Sequence, residues 1–389
     1  MKTLKIALVL DDTLDTPDGV AQYVLTVGKW LVQQGYSVHY LVGMSERHDV
    51  PQVHSLAHNI KVKFNGNVSS VPLPASRRRL RKLLETEQFD ILHVQTPYSP
   101  FLAGRLIRLA SKRTAIVGSF HVLPYNRAVV IANRLLALVN RRTAKRIDIM
   151  LANSTAASDF AHTVYGFDPV VVPNPFPLAD FSIKSLPTDG PLNIVFLGRL
   201  VARKGASQLL AAIAYVRDCK LITTPYRVII GGKGPLRAEL EAFVAKHKLQ
   251  DVVTFRGFVA EADKATFLAQ ADIGVFPSVS GESFGISLIE ALEACRGVVL
   301  GGDNPGYRSV LRPLAADQLV KPDDAAAFAK RLATWTNDKT ARDRAAAAQK
   351  AYVKQFDINV VGQKILNVYA EVLKDRDSSN DDFQLRERS

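Results

Sequence analysis

Gly274-Val275-Phe276-Pro277-Ser278, followed by Gly281-Glu282-Ser283-Phe284-Gly285-Ile286-Ser287-Leu288-Ile289-Glu290, reads as a buried strand, a turn bounded by glycines and the start of a helix. A strand that passes through such a turn into a helix is half of a parallel βαβ unit. The backbone N–H groups of Phe284, Gly285 and Ile286 then fall at a helix N-terminus, where they and the helix dipole attract phosphate. Glu282 and Glu290 stand eight positions apart, about 12 Å along a helix. They cannot grip one atom, and the spacing suits separate hydroxyl groups of an elongated ligand, such as a sugar joined to a ribose. Taken alone, Glu282 reads equally well as an N-terminal cap and Glu290 as a solvated helix residue.

The same alternation extends outward from this stretch. Apolar runs predict strands at 5–10, 37–42, 91–94, 115–120, 149–152 and 170–172, with a helix at 20–34, and strand-helix-strand order means a parallel sheet. Asn174-Pro175 and Pro177 break regular structure, and the polar stretch 182–191 reads as the hinge. A second series follows at 192–197, 227–231, 253–256, 273–277 and 298–300, then a helical alanine-rich segment at 325–354 and a last amphipathic helix at 360–373. The expected division is one α/β domain at 1–180, a second at 190–358, a closing helix at 359–374 and a disordered polar tail at 375–389.

A length of 389 residues, 47% of them hydrophobic and 22% charged, supplies material for two cores. Residues 1–11 form an apolar strand ended by acidic residues, without the layout of a signal peptide. No apolar run reaches the roughly 18 residues of a membrane span, so the chain is expected in the cytoplasm. Cys219 and Cys295 make no ligand pattern and read as small buried residues.

The net charge of +13 is concentrated: residues 76–146 hold fifteen Lys or Arg against Glu85, Glu87 and Asp90. In Arg77-Arg78-Arg79-Leu80-Arg81-Lys82-Leu83-Leu84 the leucines share one helical face and the cations cover the other, the pattern of a small interfacial helix. Arg127, Arg134 and Arg141 recur every seven residues beside the aliphatic run 128–139, a second basic stripe next to an apolar one. Such a surface meets anionic lipid, meets nucleic acid, or is simply a solvated face. The nucleic-acid reading lacks an aromatic stacking pattern or a recognition module, so no nucleic-acid partner is expected.

Three ordered motifs carry a more specific reading. Phe196-Leu197-Gly198-Arg199-Leu200-Val201-Ala202-Arg203-Lys204-Gly205, Ile229-Ile230-Gly231-Gly232-Lys233-Gly234-Pro235-Leu236 and the stretch from Gly281 to Glu290 together resemble the donor half of a GT-B glycosyltransferase of the retaining GT4 family. The resemblance implies an α/β GT-B fold, two doubly wound Rossmann-like domains facing across a cleft. It implies a nucleotide-sugar donor and no further cofactor. Arg199 and Lys204 would neutralise the leaving diphosphate without a metal, and Arg203 either assists them or is solvated. Glu282 would bind sugar hydroxyls at the catalytic centre, and Phe284, Gly285, Ile286 and Glu290 would complete the donor site.

Glu261 and Lys264, in Gly257-Phe258-Val259-Ala260-Glu261-Ala262-Asp263-Lys264, match an acidic residue and a lysine of phosphatidylinositol mannosyltransferases, which points to GDP-mannose over a donor of the UDP-glucose type. His121, ending Ser119-Phe120-His121, matches a histidine placed beside the transferred sugar. Gly19 would let the backbone approach the donor phosphate, although Asp18 stands where many relatives have another glycine. Asn65-Gly66-Asn67-Val68-Ser69-Ser70, the basic residues Arg77, Arg78, Arg79, Arg81 and Lys82, and Phe89-Asp90-Ile91-Leu92-His93-Val94 resemble the first domain of the same enzymes. The acceptor implied is an anionic membrane lipid such as phosphatidylinositol at the cytoplasmic face. Two departures concern that head group: Ala21 precedes Gln22 where those enzymes have glutamine, and Ser69 and Ser70 replace basic residues. A soluble or polysaccharide-precursor acceptor, and binding without catalysis, stay open at this point, as does the oligomeric state.

Overall fold

The computed structural model describes residues 3–16, 18–64, 67–95, 97–124, 126–183 and 190–387, and of 61–71 and 377–387 the backbone alone. The chain divides into two compact units: residues 1–175 with 358–389, and residues 176–357.

The first unit contains β1 (Lys5–Leu10), α1 (Gly19–Gln33), β2 (Ser37–Val42), β3 (Val53–Ser55), β4 (Asn59–Phe64), β5 (Asn67–Pro72), α2 (Arg77–Glu87), β6 (Ile91–Val94), α3 (Leu102–Leu109), β7 (Ala115–Phe120), α4 (Arg127–Val139), α5 (Arg141–Ala144), β8 (Ile149–Ala152), α6 (Thr155–Tyr165) and β9 (Val170–Val171). Seven strands form one parallel sheet in the order β3-β2-β1-β6-β7-β8-β9, and β4 and β5 form a separate antiparallel pair. The central strands are apolar along their length because helices cover both faces. On one face Leu80 of α2 and Leu102, Leu106 and Ile107 of α3 pack on Val9, Leu92 and Ile116. On the other, Val24, Val27 and Leu31 of α1 pack on Ile6, Leu8 and Val117.

The second unit contains β10 (Leu192–Leu197), α7 (Ala206–Asp218), β11 (Tyr226–Gly231), α8 (Arg237–Lys246), β12 (Val253–Gly257), α9 (Lys264–Ala269), β13 (Ile273–Phe276), α10 (Ile286–Ala294), β14 (Val298–Gly302), α11 (Pro305–Leu311), β15 (Leu319–Val320), α12 (Ala325–Asn337) and α13 (Lys339–Tyr352). Its six parallel strands run β12-β11-β10-β13-β14-β15. Counted from its own first strand this is 3-2-1-4-5-6, the doubly wound order that the first six strands of the larger sheet also follow. The direction in which successive strands are added reverses beside β1 and beside β10, and in such sheets ligands bind at the carboxyl ends next to that switch point.

Two boundaries differ from the sequence reading. The division falls at Pro175 and Phe176, ahead of the stretch 182–191, because Phe176, Leu178 and Phe181 are buried in the core of the second unit with Phe284 and Leu288. The last helix, α14, runs from Ile358 to Glu387, so the stretch after residue 374 is helical where disorder was expected. No glycine or proline follows Gly362 to stop it. Helix α14 belongs to the first unit: Val361, Ile365, Val368 and Tyr369 join the α1 face of the core, and the Trp30 indole N–H donates to Asn359 Oδ1 at 3.0 Å. Cys219 is exposed rather than buried, and Cys295 is buried.

Candidate functional site

In the second unit, β10 ends at Leu197 and its chain turns through Arg199, Arg203 and Lys204 into α7. Gly205 makes this turn possible: its φ is +78°, and a Cβ there would stand 1.9 Å from the Pro277 carbonyl oxygen at the end of the neighbouring strand β13. The close approach brings the loop after β10 against the loop after β13. Lys204 Nζ lies 2.7 Å and an Arg203 Nη1 2.9 Å from the same oxygen, Oε1 of Glu282. Glu282 is 9% exposed. Burial alone would raise its carboxyl, but Lys204 and Arg203 outweigh it and hold the group below its ordinary range. Arg199 is lowered by burial and then by the Arg203 charge, and Glu282 partly offsets both. Arg203 is therefore not the solvated side chain that sequence allowed but a member of the cluster, with 18% of its side chain exposed.

Helix α10 begins beside this cluster. Its N-cap, Gly285, has φ +103°, and a Cβ there would meet the Tyr307 ring at 2.4 Å. As a glycine, this residue supplies no side-chain cap of its own. Phe284 is buried against Phe356, which anchors the turn and leaves its backbone as the chemically useful part. Four residues into α10, Glu290 forms a second ion-pair cluster with Lys264 at 3.2 Å, and Lys264 also meets Glu261 at 2.9 Å. Burial would lower the Lys264 ammonium, but Glu290 and Glu261 hold it above its ordinary value. Burial raises Glu290, 4% exposed. The structure separates the two glutamates into two cation-bound groups and gathers Glu261, Lys264 and Glu290 into one; Glu282 lies ahead of α10, so the helical rise assumed from sequence applies only to the part of the span from Ile286 onward.

In the first unit, the ends of β6 and β7 carry polar side chains on a buried surface. His93 and Gln95 share one face of the strand line through β6, as Ser119 and His121 do on β7. His93 is fully buried and uses both ring nitrogens: Nδ1 lies 2.6 Å from the Tyr369 hydroxyl and Nε2 2.7 Å from Ser119 Oγ. His121 Nε2 lies 2.9 Å from Oε1 of Gln95, itself fully buried. The Tyr23 ring stands edge-on to both imidazoles, at 5.9 Å and 5.1 Å between centroids. Burial lowers His93 to about 3 and His121 to about 4, so both are neutral at pH 7. Sequence singled out His121 and missed Gln95 and His93. The available signal was the alternation of polar residues in two adjacent apolar strands.

Gly19 opens α1, but the Asp18 carboxylate already accepts from the N–H groups of Val20 and Ala21 at 2.8 and 2.9 Å. The departure from a second glycine therefore fills part of this helix terminus with the chain's own negative charge. Arg77, Arg78, Arg79, Arg81 and Lys82 are all exposed on α2. Leu80 is fully buried and Leu83 and Leu84 are partly buried in the core. This corrects the interfacial-helix reading: the apolar face is taken up largely by the protein's own core, and the outward face carries the five cations with Glu85 and Thr86. A cavity of about 450 Å³ between β3 and α2 is lined by His54, Ser55, Arg79 and Lys82. On α4, Ile131, Leu135, Leu138 and Val139 are 58–69% exposed, while Asn133 turns inward. Asn65 lies outside the described residues. Among the described residues no group of three or more His, Cys, Asp or Glu side chains is placed to hold a metal ion, and no helix is long and apolar enough to cross a membrane.

Comparison with known proteins adds to this geometry. The family model described as Glycosyltransferase Family 4 matches residues 17–180, and that described as Glycosyl transferases group 1 matches residues 179–352. A phosphatidyl-myo-inositol mannosyltransferase of Mycobacterium leprae is 30% identical over 95% of this chain and 97% of its own. The Mycolicibacterium smegmatis protein of that name is also 30% identical, over 95% and 94%. Among solved structures, a glycosyltransferase from Rickettsia africae superposes with a TM-score of 0.74 at 17% identity, covering 96% of this chain and 100% of that one. Anabaena HepE in complex with UDP and glucose gives 0.73 at 18%, covering 95% and 100%. At these identities the two structures speak for the fold alone.

Proposed function

Because the chain belongs to glycosyltransferase family 4, with the two Rossmann-like units of the GT-B fold, we propose that it transfers a mannose from GDP-mannose to a membrane lipid of the phosphatidylinositol type, with retention at the anomeric carbon and without a metal. The observation that carries this reading is the convergence of Arg203 and Lys204 on buried Glu282, with Arg199 within electrostatic reach, in a chain similar along its length to phosphatidyl-myo-inositol mannosyltransferases.

The chemistry follows from where charge develops. Breaking the bond between the anomeric carbon and the diphosphate leaves negative charge on the diphosphate and positive charge on the sugar. Arg199, Arg203 and Lys204, with the N-terminus of α10, stabilise the diphosphate more as it departs than when it is bound, which is the condition for acceleration. Glu282 keeps those cations gathered in the ligand-free protein and offers its second oxygen to sugar hydroxyls. Glu290 and Lys264, tied to each other, hold hydroxyl and base groups of the nucleotide. The acceptor oxygen bonds to the anomeric carbon on the face the diphosphate leaves, and neutral His121 orients the sugar and eases removal of the acceptor proton.

The exposed cations of α2 and the apolar outer face of α4 favour work at an anionic membrane surface, at about 1 kcal/mol for each basic residue near the surface. We place that surface on the cytoplasmic side. A soluble acceptor is the second reading, favoured by the burial of the α2 leucines. Purified protein offered GDP-mannose or UDP-glucose, with and without vesicles containing phosphatidylinositol, decides between them. Mannosyl transfer that requires vesicles is expected; equal turnover without lipid would replace the lipid acceptor by a soluble one, and turnover with UDP-glucose alone would replace the donor.

A further inference from the structure

The two nitrogens of the His121 ring have different surroundings. Nε2 lies 2.9 Å from Gln95 Oε1, and no hydrogen bond within the described residues uses Nδ1. Which end of the Gln95 carboxamide faces the ring is decided on its other side. The amide nitrogen lies 3.4 Å from the His93 carbonyl oxygen, and a carbonyl accepts only from a donor. The reverse orientation would set two carbonyl oxygens against each other in a site where Gln95 has no exposure to water. The carboxamide oxygen therefore meets His121, and it requires a proton on Nε2. A neutral imidazole carries one N–H.

From this geometry we infer that Gln95 is a positioning residue: it locks His121 as the Nε2-protonated tautomer and makes Nδ1 the lone-pair nitrogen offered to sugar and acceptor hydroxyls. The inference rests on the role proposed above for His121. An amide suits this task better than a carboxylate would. A carboxylate in place of Gln95 would favour imidazolium, and a cation beside a sugar that turns cationic would oppose the reaction. Gln95 fixes the tautomer and adds no charge, and burial drives His121 to about 4. The titratable neighbours on the packed elements are His93 and Tyr23; burial holds the first neutral and raises the phenol of the second, so that both are uncharged at pH 7.

The test reads the tautomer directly. Long-range proton–nitrogen NMR of histidine-labelled protein, with the His121 signal identified by its loss in His121→Ala, is expected to show the Nε2–H form. Gln95→Leu, or the near-isosteric Gln95→Met should the first fold poorly, is expected to give mixed tautomers and to lower kcat by about tenfold to a hundredfold with little change in donor KM. Gln95→Glu is expected to keep the tautomer and to move the acid limb of kcat upward by at least about one pH unit. An Nδ1–H form in the unmodified protein, or full kcat in Gln95→Leu with the tautomer unchanged, would overturn the inference. So would equal losses in the leucine and glutamate variants with no movement of the acid limb, which would make Gln95 a packing residue. Full turnover by His121→Ala would remove the parent reading of His121, and the NMR result separates that failure from a failure of the tautomer lock.

Discussion

The carboxyl edge of the second sheet is dense in charge: Arg199, Arg203 and Lys204 surround Glu282, and Lys264 joins Glu261 to Glu290. The ends of β6 and β7 in the first sheet carry two neutral histidines, a carboxamide and a serine, hydrogen-bonded among themselves and to the Tyr369 hydroxyl of α14. The strand order is shared, so the contrast comes from side chains and not from architecture. It teaches that one fold supports two tasks. On the proposed reading, fixed charge is stored where the donor diphosphate is held and released, and neutral groups stand where hydroxyls are oriented.

The sharpest way to break this comparison is to remove fixed charge from the second unit. Lys204→Ala leaves Glu282 with one of its two bound cations and weakens stabilisation of the departing diphosphate; transfer measured as kcat/KM should fall by about a hundredfold to a thousandfold. Circular dichroism should show the fold retained. A loss below tenfold would mean that Lys204 serves the ion pair and not the reaction.

His121→Ala removes the neutral partner instead. Expected is a fall of about a hundredfold in kcat, with GDP-mannose binding by calorimetry little changed, since the cations lie in the other unit. Weakened donor binding with unchanged kcat would reverse the assignment of tasks.

Acid sharpens the contrast through stability. His93 and His121 are held at about 3 and about 4, below the ordinary histidine value. Between those values and about 6.5 the unfolded chain binds more protons than the folded one, so the two histidines lower stability as pH falls through that window. The melting temperature should drop from pH 6.5 to pH 4, and His93→Gln should lessen the slope. A slope unaffected by His93→Gln would assign the acid sensitivity to other groups.

The smallest effect concerns α2. Each of Arg77, Arg78 and Arg81 changed to Gln should weaken binding to anionic vesicles by about 1 kcal/mol, roughly fivefold. The effect should vanish at high salt, and donor hydrolysis in solution should be unaltered. Vesicle affinity insensitive to all three changes would leave α2 a solvated face.

Much of the fold was legible because long buried parallel strands read as unbroken apolar runs: β1, β2, β6, β7, β8 and β10 lie where 5–10, 37–42, 91–94, 115–120, 149–152 and 192–197 placed them. Three-residue β3 has too few positions to show a period, and the paired β4 and β5 do not belong to the main sheet. The hinge was misplaced because Phe176, Leu178 and Phe181 lie among prolines that suggest a linker, while their burial depends on α10, far along the chain. At the site, resemblance to a family supplied Arg199, Lys204, Glu282 and His121. It left Arg203 open between assisting and solvated, and did not supply Gln95; the contacts of both lie between loops or strands 79 and 26 residues apart.

Helix α14 has a consequence for the birth of the protein. The Tyr369 hydroxyl that meets His93 arrives 276 residues after it, which at typical translation speeds is roughly 14–55 s. Once β9 has been made, and until α14 follows, the first unit has its strands but lacks the helix that packs beside α1, and its apolar surface is left for chaperones to shield. The second unit is made wholly inside the same interval and can fold first. A ribosome stalled before α14 would thus release a molecule whose later-made half is finished and whose earlier-made half is not.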